Sequence, residues 1–123
     1  MGKDFLHKDV TEKIIKCFYN VYDELGSGFL ESVYEKALMI ELKEIGLKAA
    51  SQKSLNVRYK DVLFGEFKTD IVVEDKVIIE IKAISRLMPQ HEAQLINYLK
   101  VTGVKIGLLV NFGDKLQFKR RVF

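Results

Sequence analysis

Two acids and a lysine stand close together near the middle of the chain: Asp70 in KTDIVV, then Glu80 and Lys82 in VIIEIKA. A three-residue turn at Glu74, Asp75 and Lys76 would set Val73 opposite Val77 in an antiparallel hairpin, and Asp70 would then face Glu80. Directly opposed side chains have Cβ atoms about 4.5–5.5 Å apart, where like charges are destabilising unless a cation or a proton sits between them. Lys82, two residues beyond Glu80, projects from the same face. A two-residue turn would shift the register by one and send Asp70 to the opposite face, so the inference depends on loop length.

Hard divalent ions such as magnesium take oxygen ligands, and carboxylates held on strands supply them with little flexibility. A lysine beside such an ion can orient or activate an attacking water and offset charge building on a phosphate oxygen. Phosphodiester hydrolysis is the reaction these parts suit. The competing reading is that Glu80 and Lys82 alternate outward on an exposed strand face, as in many half-buried strands.

The elements that must position these residues follow from hydrophobic periodicity. Val10, Ile14, Phe18, Val21, Tyr22 and Leu25 fall on one helical face from Lys8 to Leu25, and Gly26, Ser27 and Gly28 interrupt it. Leu30, Val33, Tyr34, Ala37, Leu38, Leu42 and Ile45 continue a second helical stripe to Gly46. The period then changes to two: Leu55, Val57 and Tyr59 alternate with polar residues, and Lys60 and Asp61 make a turn. Val62 to Val73 reads as one longer strand and Val77 to Ala83 as the third. Pro89 suits the first turn of a helix running to Thr102, with Gly103 as its stop. The nearly all-apolar VKIGLLV, Val104 to Val110, is expected as a fourth strand covered on both sides, parallel to its neighbour through the helical crossover. After a turn at Asn111 to Asp114, a short last strand begins at Lys115. The expected order is ααβββαββ, an α/β fold.

At 123 residues, with 48% hydrophobic and 30% charged residues and one proline, the chain is expected to form one domain, residues 1–123, and not a disordered segment. The lone Cys17 has no partner for a disulfide or thiolate zinc site and is expected as a core filler. No signal-peptide pattern and no apolar run of about 18 residues is present, which points to a cytoplasmic protein without a membrane span. Gly2 follows Met1, but Leu6 stands where N-myristoylation wants Ser or Thr. A net charge of +3 does not by itself identify a nucleic-acid binder. Lys115, Lys119, Arg120 and Arg121 form a local basic cluster, suited either to phosphates or to a solvated terminal strand.

The segment from Thr69 through Asp70 to Glu80, Ile81 and Lys82 resembles the PD-(D/E)XK signature of restriction-endonuclease-like nucleases, with Thr69 in place of the proline. Gly28, Glu31 and Tyr34, in GFLESVY, match the defining motif of the GxxExxY family, which is similar to that superfamily. Gln94 and Tyr98, in QLINY, resemble the QxxxY element of its exonuclease-like branches. Three ordered motifs are more specific than any one.

The resemblance implies a restriction-endonuclease-like mixed sheet flanked by helices and a Mg²⁺- or Mn²⁺-dependent nuclease acting on nucleic acid, DNA rather than RNA. It implies Asp70 and Glu80 as metal ligands, Glu31 as an added carboxylate, and Lys82 as the group positioning water or stabilising charge. Gln94 would bind a phosphate or the lysine, and Tyr98 would support it or stack on a base. Glu31 also suits a helix N-terminus without any metal, Tyr98 an amphipathic core, and His91 a helix start. A binding or regulatory module with little turnover is the alternative, because a chain this short has few insertions with which to wrap a duplex. A two-fold homodimer would enlarge its substrate-contact surface.

Overall fold

The computed structural model describes residues 6–123. Gly2, weighed above for acylation, lies outside the described residues. Helix α1 spans Lys8–Leu25 and buries Val10, Ile14, Cys17, Phe18 and Val21. Burial pushes the Cys17 thiol up to about 11, with Glu41 adding to the effect. Gly26, at a φ of 66°, ends the helix and donates its N–H to the Tyr22 carbonyl. Helix α2 spans Glu31–Glu44 and buries Tyr34, Leu38 and Leu42, whereas Leu30, Val33 and Ile45 of the expected stripe are exposed.

Strand β1 (Ala49–Ser51) was not expected, since AAS carries no alternation of apolar and polar residues to mark it. Strands β2 (Ser54–Tyr59) and β3 (Val62–Lys68) form a separate two-stranded hairpin. Strands β4 (Ile71–Val73) and β5 (Val77–Lys82), helix α3 (Pro89–Thr102), and strands β6 (Ile106–Phe112) and β7 (Leu116–Val122) complete the chain. The order is therefore ααβββββαββ, and the main sheet runs β1-β4-β5-β6-β7. Among the described residues only β5 and β6 pair parallel, as the α3 crossover requires. The result is a mixed sheet flanked by helices, the restriction-endonuclease-like architecture expected.

One expected strand is bent into two. Ser51 pairs with Ile71 and Ser54 with Lys68, so β1–β2 and β3–β4 are two halves of one antiparallel ribbon that keeps its register across the bend and shifts it by one at an irregularity between Val57 and Arg58. At the bend Gln52 has a φ of 52° and donates its N–H to the Asp70 carbonyl at 2.8 Å. Thr69, fully buried, directs both its N–H and its hydroxyl to the Lys53 carbonyl at 2.9 and 3.0 Å. These bonds keep the backbone polar groups satisfied through the corner and take the hairpin out of the main sheet.

Two cores sandwich the sheet. The larger lies under α1 and α2 and includes Ile71, Val73, Ile79, Ile81, Leu108 and Phe112. The smaller packs Val72, Ile78 and Leu109 against Leu95 and Leu99 of α3. Helix α3 approaches closely because Gly107 has no side chain: a Cβ there would lie 2.6 Å from Leu95 Cδ1. All seven residues of β6 are buried, as expected for a strand covered on both faces. Strand β6 is displaced two residues along the chain from the expected Val104–Val110, so Asn111 and Phe112 belong to it and not to the turn, and β7 extends further than expected. Among the described residues, no helix is long and apolar enough to cross a membrane.

Candidate active site

The hairpin register is the one a three-residue loop dictates: Val73 pairs with Val77 and Ile71 with Ile79. Glu74 and Asp75 both have a φ of 54°, and Lys76 donates to the Val73 carbonyl at 2.9 Å, closing the turn. Lys53 and Lys48 reach Asp75 at 2.7 and 3.4 Å and hold its carboxyl below the ordinary range. Continued one step, this register sets Asp70 beside Glu80, at the point where the ladder ends.

Here the bend matters. Freed from the ladder, the Asp70 carboxylate turns back and its Oδ2 accepts the Ile81 N–H at 2.7 Å. A side chain thus closes a backbone donor that the missing strand residue would otherwise have paired. Oδ1 of the same carboxylate makes no hydrogen bond to the described residues.

Glu80 and Lys82 alternate with the buried Ile79 and Ile81, and so lie on the face of β5 that Ile78 turns toward α3. Glu80 Oε1 is buried and has no hydrogen-bond partner among the described residues. Burial first, then the neighbouring Asp70 and more weakly Glu31, together push this carboxyl up to about 8 against the opposing effect of Lys82. A buried, unpartnered carboxylate oxygen costs about 1–3 kcal/mol or more, a burden that a bound cation or proton would relieve. The outward-facing reading of this strand face therefore fails for Glu80.

Glu31 occupies the first turn of α2 and is exposed. Its field reaches Glu80, but among the described residues no three His, Cys, Asp or Glu side chains converge into a ready-made cage for an ion. The motif around it is a fastening. Gly28 has a φ of 103°, a conformation that side-chain-bearing residues rarely adopt. Tyr34 is fully buried, donates its hydroxyl to the Gly26 carbonyl at 2.6 Å and accepts the Phe29 N–H at 3.3 Å. Its ring stacks on Phe112 with centroids 4.4 Å apart and planes within 2°. The glycine and tyrosine thus fix the loop that presents Glu31.

Gln94 and Tyr98 share one face of α3, and Gln94 Nε2 donates to the Tyr98 hydroxyl at 2.8 Å. One face of the Tyr98 ring is covered by Phe67 of β3, with centroids 3.6 Å apart. His91 starts the helix as expected, its Nδ1 accepting the Met88 N–H at 3.0 Å. Two of the terminal cations are engaged: Arg121 pairs with Glu92, and Arg120 donates to the Leu6 carbonyl at 2.8 Å, while Lys115 and Lys119 are exposed.

Sequence reasoning missed what holds the exit of β5. Asn111, fully buried and paired with Lys82 in the β5–β6 register, grips the backbone of Ile84 from both sides. Its Oδ1 accepts the Ile84 N–H at 3.0 Å and its Nδ2 donates to the Ile84 carbonyl at 2.9 Å. A Cβ on Gly113 would lie 2.0 Å from that carbonyl oxygen. The only signal was a polar residue closing an apolar strand.

A bent ribbon that brings an aspartate to a buried glutamate and a lysine, on a mixed sheet between helices, defines a nuclease-type α/β protein. Residues 8–122 match the family model of the PD-(D/E)XK nuclease superfamily, and the chain belongs to that superfamily. Its fold is similar to that in the crystal structure of SSO0001, with a TM-score of 0.57 at 19% identity over 74% of this chain. The similarity spans about half of that protein, 50% of its chain. No curated protein matches the chain.

Proposed function

We propose that the protein is a divalent-metal-dependent nuclease of the GxxExxY branch, hydrolysing phosphodiester bonds in DNA. The observation that carries this reading is the buried, unpartnered Oε1 of Glu80 next to Asp70 and Lys82. Nucleases of this superfamily generally use divalent metals, and an oxygen donor set of Asp70 and Glu80 suits Mg²⁺ or Mn²⁺. Asp70 would offer the oxygen that Ile81 leaves uncommitted, Glu80 its orphaned one, with Glu31 as an auxiliary acid. When bound, the ion supplies Lewis acidity at a phosphate oxygen and favours ionisation of water.

The remaining work falls to the chain itself. Lys82 holds the attacking water by hydrogen bonding and offsets negative charge on the phosphate. The Ile81 N–H fixes the orientation of the Asp70 carboxylate. Asn111 and Gly113 hold the backbone just beyond Lys82 and act as positioning residues. Gln94, oriented by Tyr98, offers its amide to the substrate backbone. Labelled single- and double-stranded DNA and RNA incubated with Mg²⁺ or Mn²⁺ test the reading. Cleavage by wild type that is lost in Asp70→Ala and Lys82→Ala supports it; no cleavage by wild type, or equal cleavage by both variants, overturns it.

One observation favours a second reading, a nucleic-acid-binding module with little turnover: Glu31 does not close with Asp70 and Glu80 into a three-carboxylate cage. Mn²⁺-dependent retention of DNA in a gel shift without product identifies that case.

A further inference from the structure

Beyond the bend, β2 and β3 project as a hairpin that joins no larger sheet among the described residues. Its outer end is apolar: Tyr59, Val62, Leu63 and Phe64 are 67, 63, 51 and 64% exposed. Contiguous exposed apolar residues add nothing to a core and mark contact surfaces. Tyr59, Lys60, Val62 and Phe64 line a shallow hollow of about 460 Å³ at this end. Lys60 Nζ stands 5.6 Å from the centroid of the Tyr59 ring.

The tip and the base are both held. Lys60 and Asp61, with φ of 50° and 65°, form the reversed turn that matches the twist of paired strands. At the base Phe67 stacks on Tyr98, and Leu55 packs against the smaller core. Thr69 and its bonds to Lys53 then join β3 directly to Asp70. The apolar tip is thus the far end of an arm whose near end is the candidate active site.

We propose that this arm is a stacking surface for unpaired bases of the DNA strand whose backbone lies at Asp70, Glu80 and Lys82, an inference that rests on the nuclease reading above. Every base has a π-face, so aromatic platforms beside cations bind single strands with little regard to sequence. Tyr59 and Phe64 supply the rings, and Arg58 and Lys60 supply cations for the flanking phosphates. Bases in an intact duplex are already stacked and would have to be unstacked first, which favours an unpaired tract. A second copy is a poorer occupant, because Arg58, Glu66 and Lys68 put charges along the hairpin and oppose strand addition. From Val62 to Asp70 the extended chain reaches roughly 25 Å at about 3.3 Å per residue. An unpaired tract of several nucleotides would be needed to span that distance from the scissile bond.

The chain contains no tryptophan, so Phe64→Trp places a single, selectively excitable tryptophan at the tip. The full-length variant is titrated with a 20-nucleotide single-stranded DNA and with the matching blunt duplex, in EDTA so that nothing is cut. Saturable quenching by the single strand, about ten-fold weaker binding of the duplex, and a similar loss of single-strand affinity in Tyr59→Ala are expected. No quenching by either DNA, while the protein cleaves DNA and Tyr59→Ala cleaves it with unchanged KM, overturns the arm and leaves the nuclease reading intact. Quenching by the single strand from a protein that cuts nothing supports the arm and removes the nuclease. Equal quenching by the duplex overturns the preference for unpaired bases. A fluorescence change that follows protein concentration alone, with a dimer in sedimentation, assigns the tip to a second copy and also overturns the proposal.

Discussion

The carboxylate of Asp70 accepts the backbone N–H of Ile81 at 2.7 Å, so one proposed metal ligand also closes the strand that carries the other and the lysine. Asp70→Ala leaves that N–H unpaired in a half-buried position, with an expected loss of about 1–3 kcal/mol. Asp70→Asn keeps an acceptor oxygen and is expected to retain most of the stability while losing cleavage. Urea denaturation of both variants beside a nuclease assay separates the two roles; equal destabilisation would show that the hydrogen bond contributes nothing.

Glu80 makes the metal-free protein sensitive to alkali. Its carboxyl titrates near 8 in the fold against 4.5 for the ordinary group, so between those values the folded state holds a proton that the unfolded state has released. Stability therefore falls as pH rises through this window and levels off above about 8. At about 1.4 kcal/mol per pH unit, the full effect is at most about 5 kcal/mol. Glu80→Gln is expected to flatten the pH dependence and to raise the Tm at pH 8.5 in EDTA. Thermal melts at pH 5, 7 and 8.5 check this, and added Mn²⁺ should stabilise wild type at the highest pH but not the variant.

Tyr34→Phe keeps the stack on Phe112 but removes the hydroxyl that joins Gly26 to Phe29. A loss of about 1–2 kcal/mol is expected, together with weaker cleavage from a less firmly held Glu31. Tyr34→Ala opens a cavity at a fully buried site and should cost about 3–5 kcal/mol. Guanidinium melts of the pair discriminate hydroxyl from ring.

Asn111→Ala removes both bonds to Ile84 and leaves its N–H and carbonyl without those partners, for about 2–4 kcal/mol. Gly113→Ala drives a methyl group against the Ile84 carbonyl oxygen and cannot be accommodated without moving the segment after Lys82. Hydrogen exchange should show faster exchange at Ile84 in Asn111→Ala, and kcat should fall more than KM rises in whatever fraction remains folded. Unchanged exchange at Ile84 would contradict the clamp.

Much of this architecture is readable along the chain because its determinants are local. Helices α1 and α3 lie where periodicity, the Gly26 stop and Pro89 put them, and the loop length at Glu74 to Lys76 dictates the pairing of Val73 with Val77. Since side chains alternate along a strand, that register alone places Asp70 beside Glu80 and turns Lys82 the same way. What no local pattern contains is the corner at Gln52 and Thr69, which takes the hairpin out of the main sheet and frees the Asp70 carboxylate. Nor does it contain the grip of Asn111 on Ile84 across 27 residues, or the burial that leaves one oxygen of Glu80 without a partner. Spacing determined which side chains could meet, because periodicity is a property of adjacent residues; packing decided how they meet, because desolvation and long-range hydrogen bonds exist only once distant segments are in contact.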